Sequence, residues 1–337
     1  VLTFIAIILT ALLISGCGTP AEETQTPDSA KATSTLKQVT LQLNWYPEAE
    51  HGGYYAALVH GCYRDAGLDV KIVTGGPDAP VLQQVATGRA TFGVINADNI
   101  LYGRAAGAPV VALMAPLQTS PRCLIVHESS GIREFSQLKN MTLAMSTTQA
   151  FSFYLRSQVP LTGVTVIPYT GNVAQFLLDK NFGQQGYVFS EPYLIRQQGG
   201  DPHVLMLADL GFNPYTSILF TREKNLREDR ALVEAMIRAS LQGWKKYLSA
   251  PSATNLRIQT LNPAMDLDAL EYGSRTIAPL AESSDTRLHG FGVMTHERWQ
   301  TLIDQMVACK QLAAGAVKAS EAFRSDAQSD SAMQSAP

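Results

Sequence analysis

Residues 68–114 read LDVKIVTGGPDAPVLQQVATGRATFGVINADNILYGRAAGAPVVALM, and their rhythm decides the fold. Leu68 to Val73 reads as a strand. Asp78 is placed to cap a helix carrying Val81, Leu82 and Val85 that stops near Gly88. Thr91 to Ile95 is a short strand, Asp98 to Ala106 a helix ending at Gly107, and Val110 to Met114 an apolar strand. Strands and helices alternating across short loops predict an α/β fold, a parallel or mixed sheet covered by helices. Upstream, Val39 to Leu43 alternates apolar with polar side chains, as a strand with one buried face does. A helix fits Gly53 to His60, and Gly67 closes its short continuation.

The rhythm returns downstream. Cys123 to Val126, Met141 to Met145, Val164 to Ile167, Tyr187 to Phe189 and Val204 to Leu207 read as strands. A helical turn is expected at Phe135 to Leu138, and helices near Ala150 to Ser157 and Val173 to Asp179. A single long helix is then expected over Leu226 to Leu248, because Val233, Met236, Ile237, Leu241, Trp244 and Leu248 make one apolar stripe. Pro251 ends it, and helices over Leu267 to Leu280 and His296 to Val307 follow. The two α/β blocks meet near Ala115 to Arg122 and again near Gly211 to Thr216. Two such crossings let two lobes hinge around a cleft. The expected organisation is one lobe from residues 38–118 with 216–310, a second from 119–215, and a loose tail over 311–337, which is poor in apolar residues from Lys318.

With 337 residues the chain is long enough for two lobes, and 46% hydrophobic against 16% charged residues is a folded composition. A net charge of -3 without clustered Lys and Arg argues against a nucleic-acid partner. The six His residues form neither HExxH nor a short metal pair, and GxSxG, GxGxxG and the P-loop pattern are missing from the sequence. The expectation is a protein that is not an enzyme and holds no cofactor or metal. Of the four cysteines, Cys17 stands apart near the start; Cys62, Cys123 and Cys309 suit small buried hydrophobes, with one disulfide as the alternative.

Asn44-Trp45-Tyr46-Pro47, His51-Gly52-Gly53-Tyr54-Tyr55-Ala56 and Gly67-Leu68-Asp69-Val70 resemble the opening of one solute-binding family. That family serves thiamine-pyrimidine precursors, alkanesulfonates, taurine and related solutes in ABC importers. Gly88 to Gly93, Gly107 to Val111, Gly186 to Tyr193 and Thr295 to Trp299 resemble its later segments, so the likeness covers about residues 38–310. It implies a type II periplasmic binding protein with a ligand cleft between two lobes, a monomer that binds no nucleic acid and serves permease and ATPase subunits. The Trp-Tyr-Pro and Ser-Glu-Pro-Tyr segments look most like the thiamine-precursor branch, whose eukaryotic members are pyrimidine-forming enzymes with a cysteine-rich iron motif. This chain lacks that cysteine cluster, so the activity is not carried over.

Ligands of open α/β sheets bind beyond the carboxyl ends of the strands. Trp45 and Tyr46 follow the first strand, Tyr54 and Tyr55 open the next helix with His51 beside Gly52-Gly53 just before it, and Asn96, Asp98 and Asn99 follow the third strand. Glu191 and Tyr193 follow a strand of the second lobe. Aromatic faces with a few acceptors suit a flat N-heterocycle such as a thiamine-precursor pyrimidine, riboflavin-like rings included. Tyr54 fits the core equally well, Asp98 a helix cap, and His51 a solvated loop. A sulfonate or other small anion is the alternative ligand, for which Arg122 is the main cationic candidate.

Residues 1–16, VLTFIAIILTALLISG, are apolar and uncharged and run into Cys17. Leu13-Ile14-Ser15-Gly16-Cys17 resembles the lipobox of bacterial lipoproteins, which implies cleavage before a lipidated Cys17. Residues 17–37 read as a flexible tether, rich in Thr, Ser, Ala and Pro. The expected location is the cell envelope, lipid-anchored on the extracytoplasmic side of a bacterial membrane. Cys17→Ser, or globomycin treatment, is expected to leave an unprocessed precursor on immunoblots of expressing cells. Normal processing of the variant at the same bond contradicts the lipobox reading.

Overall fold

Val39 and Leu41 point inward from the first strand while Gln38 and Thr40 point out, so one face of that strand joins a core. A computed structural model describes residues 35–77 and 79–324. The expected signal segment, nearly all of the tether, the Asp78 cap and residues 325–337 lie outside the described residues. The first sheet contains β1 (Lys37–Gln42), β2 (Leu68–Val73), β3 (Phe92–Ile95), β4 (Val110–Met114) and β10 (Ile218–Arg222). Its order is β2-β1-β3-β10-β4. The second contains β5 (Arg122–His127), β6 (Thr142–Ala144), β7 (Thr165–Ile167), β8 (Phe182–Tyr187) and β9 (Pro202–Met206), in the order β7-β6-β8-β5-β9.

Each sheet admits one strand against the grain. β2, β1 and β3 run parallel, and β10 inserts antiparallel between β3 and β4. β7, β6 and β8 run parallel, and β5 pairs antiparallel with β8 and β9. These two are the strands that the chain enters after passing between the sheets. The passages themselves touch, through an antiparallel bridge between Leu117 and Thr216. Strands β3 and β4 are buried along their whole length, which explains their continuous apolar runs.

Several expectations need correction. The long helix is two, Glu223–Glu228 and Arg230–Ser249, because the Asp229 carboxylate accepts the Leu232 N–H at 3.3 Å and starts a new helix. Pro251 both follows that helix and opens another, Ser252–Leu261. The strand expected at Tyr187 to Phe189 lies earlier, because Gln184 and Gln185 are buried in β8 and Gln185 accepts the Ser146 N–H at 2.6 Å. Lys37, assigned to the tether, begins β1 and pairs with Leu68 of β2. The tail is not loose as far as residue 324: Leu312, Val317, Ala322 and Phe323 are buried, Phe323 stacks on Trp299 at 5.9 Å, and it bridges to Ala112 of β4.

Helix Gly52–Val59 lies against Arg230–Ser249 at very short range. A β-carbon on Gly243 would overlap the Gly53 carbonyl oxygen and sit 2.6 Å from the Ala57 backbone nitrogen. Glycine in a helix ordinarily costs roughly 0.5–1 kcal/mol relative to alanine. Here the clash is with backbone and decides the sign. Gly243→Ala is expected to destabilise the fold by about 1–3 kcal/mol in denaturant titrations. Equal or greater stability of the variant contradicts the close approach.

Candidate binding cleft

The chain leaving β1 turns sharply through Ala49–His51 and starts a helix on Gly52 and Gly53. The rings of Tyr247 and Trp244 occupy the places where β-carbons of those glycines would stand. The turn is thereby drawn down onto the core, and Glu48, Glu50 and His51 are buried with it. From the second sheet, β8 ends at Tyr187 and the chain turns through Ser190 into the helix Glu191–Gln197. The two sides enclose a cleft of about 930 Å³.

The inner end of the cleft is acidic. Glu48 Oε2 accepts the Ser190 hydroxyl at 3.2 Å, a bond between the two sheets' loops. Glu50 Oε1 accepts Asn44 Nδ2 at 3.1 Å and the Ser217 hydroxyl at 2.9 Å. Glu191 accepts the Tyr169 hydroxyl at 2.9 Å and the Tyr187 N–H at 2.7 Å. Burial pushes the Glu48 carboxyl well above the usual range, and the neighbouring Glu50 and Glu191 push it further. Burial also raises Glu191, against the bonds it accepts from Tyr187 and Tyr169. Both groups therefore hold a proton more readily than a free carboxylate. Arg122 is the one cation among the described lining residues; its guanidinium lies 4.3 Å from the Tyr187 ring centre and donates to that phenol at 3.2 Å and to Gln149 at 3.3 Å.

Ser217, the residue that follows the second crossing, has φ 58°, a strained conformation for a residue with a side chain. All of its polar groups are engaged: its N–H with Asn96 at 3.3 Å, its carbonyl with Tyr54 at 2.8 Å, and its hydroxyl with Glu50. Asn96 in turn donates to the Tyr187 phenol across the cleft at 3.0 Å. That phenol oxygen accepts from both Asn96 and Arg122, so its own proton is left to donate.

Trp45, Asn96, Asn99 and Glu191 line the cleft together, as the sequence suggests. Trp45 reaches across to the second lobe, with its indole edge beside Gly171. The other candidates are elsewhere. Tyr46 is 49% exposed, outside the lining and edge-on to Trp45 at 5.3 Å. Tyr54 is core, packed edge-on to Trp244 at 5.8 Å. His51 is buried behind the cleft, where it bonds to Asn44 at 2.9 Å and burial lowers its pKa. Tyr193 packs against Tyr272 at 5.2 Å. Asp98 is buried at the start of the helix Ala97–Ala105. Sequence reasoning missed Glu48 and Glu50, whose signal was two carboxylates in the turn between β1 and the glycine pair.

Cys62, Cys123 and Cys309 are unpaired thiols. Among the described residues no group of His, Cys, Asp and Glu is arranged to hold a metal, and no helix is long and apolar enough to cross a membrane. Two sheets with crossed-over strands and a cleft between them make the periplasmic-binding-protein fold. The aliphatic sulphonate binding protein SsuA of Escherichia coli superimposes with a TM-score of 0.66 at 13% identity, over 85% of this chain and 91% of that one. The chain belongs to the NMT1/THI5-like family, whose model matches residues 48–254. The riboflavin-binding protein RibY of Chloroflexus aurantiacus is 27% identical over 95% of this chain and 95% of its own length. The formylaminopyrimidine-binding protein of Halalkalibacterium halodurans is 23% identical over 90% of this chain and 92% of its own.

The raised Glu48 pKa has a measurable sign. The folded chain binds that proton more tightly than the unfolded one, so stability falls as pH rises from the ordinary carboxylate range through the folded pKa. Glu48→Gln keeps an acceptor for Ser190 and removes the buried charge. It is expected to raise the melting temperature at neutral pH and to flatten its decline between acidic and neutral pH. A lower neutral-pH melting temperature contradicts this account.

Proposed function

We propose that this chain is the extracytoplasmic solute-binding component of an ABC importer and that it captures a flat N-heterocycle bearing amine or ring N–H donors. The observation that carries the reading is the charge of the cleft: Glu48, Glu50 and Glu191 face Arg122 alone among its described charged groups. An ammonium, an amidine edge or several N–H donors would satisfy those acceptors, whereas a sulfonate would meet mostly acceptors. Trp45, Tyr169 and Tyr187 add aromatic faces. The ligands named for the riboflavin- and formylaminopyrimidine-binding relatives share this chemistry, and a thiamine-precursor pyrimidine does too. The paired crossings support hinged closure, with lobes near residues 38–118 plus 216–310 and 119–215, and delivery of the closed form to permease and ATPase partners. Lipid anchorage through Cys17 would hold the protein beside them.

Trp45 and Glu191 act on one ligand from opposite sides in this reading. Against the tightest heterocycle from a thermal-shift screen, Trp45→Ala is expected to cost on the order of 1 kcal/mol beyond its area burial. Glu191→Gln is expected to cost about 1.5–3 kcal/mol, because the ligand's donors lose a charged acceptor inside a closed site. Calorimetry on both variants and the double mutant measures this, with losses that do not simply add. Wild-type affinity in both single variants places the site elsewhere.

A further inference from the structure

One hydrogen-bonded line crosses the cleft from its acidic end to the second lobe. Glu50 Oε1 accepts the Ser217 hydroxyl at 2.9 Å, the Ser217 N–H donates to Asn96 Oδ1 at 3.3 Å, and Asn96 Nδ2 donates to the Tyr187 phenol at 3.0 Å. Each link orients the next. A backbone N–H holds the oxygen of the Asn96 amide, so the end that meets Tyr187 is the nitrogen. Both hydrogen bonds to Glu50 fall on Oε1, which leaves Oε2 to accept from a ligand.

The Tyr187 oxygen is fully used as an acceptor. Asn96 donates to it, and so does Arg122 at 3.2 Å, a guanidinium with no acceptor to offer in return. Arg122 is itself taken up by the protein: it packs on the Tyr187 ring at 4.3 Å and on the Phe151 ring at 5.0 Å, and it donates to Gln149 at 3.3 Å. Among the described residues none accepts the phenol proton, and Tyr187, Asn96, Arg122 and Gln149 all line the cleft. Burial holds the phenol above its usual pKa against the pull of Arg122, so the proton stays in place at neutral pH. That proton is available to a group inside the cleft.

On the basis of the proposed function, we infer that Tyr187 is a specificity-determining residue: its phenol donates to an unprotonated ring nitrogen of the ligand, while Glu50 Oε2 accepts from an amine on the same ring. The cleft then reads an acceptor and a donor together, and an amine on a ring without an acceptor binds less well. Asn96 and Arg122 are positioning residues that act on the ligand through the phenol they hold. Arg122, the cation that an anionic ligand would need, spends its donors inside the protein.

Isothermal titration at neutral pH with two compounds tests this. One is 4-amino-5-aminomethyl-2-methylpyrimidine; the other is 2-(aminomethyl)-5-methylaniline, which keeps both amines and has C–H in place of both ring nitrogens. The wild type is expected to prefer the pyrimidine by about tenfold, the worth of one hydrogen bond into a closed site. Tyr187→Phe should abolish that preference by weakening the pyrimidine alone. Asn96→Asp tests the same point should Tyr187→Phe fail to fold. Its carboxylate would take the phenol proton, while its added charge would act on the amines of both compounds, so the preference should again fall. Equal wild-type affinities, or equal losses for the two compounds in Tyr187→Phe, overturn the inference and leave the acidic ring site standing. Failure of the wild type to bind either compound overturns it as well, and the thermal-shift screen then decides whether the heterocycle reading falls with it.

Discussion

The Arg298 guanidinium ties together the two places where the chain passes between sheets. It donates to the carbonyls of Gln118 on the first passage and Asn213 on the second, and it lies 4.1 Å from the ring centre of Tyr215. Backbone carbonyls at a crossing have left one sheet and not yet joined the next, so they need partners from elsewhere. One planar cation with several donors supplies them for both strands at once. The rest of the architecture follows from that junction. β5 and β10 start from it, each enters its sheet antiparallel, and Ser217, one step beyond it, is held where it can bond Glu50 and Asn96.

The cleft is electrostatically unfinished. Protein donors satisfy part of each carboxylate, yet Glu48 and Glu191 remain displaced toward their protonated forms by burial. The glycine pair under Trp244 and Tyr247 seats the turn that carries Glu48 and Glu50 against the core. Incoming N–H donors would relieve a tension that already exists in the protein. An acceptor-rich cleft favours groups that bring positive charge or donors over groups that bring more acceptors.

How much of this was legible beforehand depended on whether a signal was local. The strand–helix rhythm around residues 68–114 is local, and the β-α alternation it predicts is what forms. β8 was misplaced because FGQQGY looks polar, and only its central position, with Gln185 bonded to the Ser146 backbone, makes it a buried strand. β10 was passed over for a related reason: its partners β3 and β4 are more than a hundred residues away. Trp45, Asn96, Asn99 and Glu191 line the cleft because they follow the carboxyl ends of strands, a position that is readable locally. Tyr54 and His51 were on the same loop-and-helix segment but turn toward Trp244 and Asn44; the partner of Tyr54 lies on the helix Arg230–Ser249, invisible in the segment itself.

The C-terminal segment closes an opening of a different kind. β4 is an edge of the first sheet, and unpaired edges are templates on which other chains can grow. Phe323 forms a parallel bridge to Ala112, and the Arg324 N–H bonds to the Ala112 carbonyl at 2.9 Å. The protein thus occupies its own exposed edge with a short strand-like stop, at the middle of the strand where sheet-to-sheet growth would begin. Material shortened ahead of Phe323 would keep the cleft and its residues but carry a naked strand, and its first failing would be self-association rather than loss of ligand affinity.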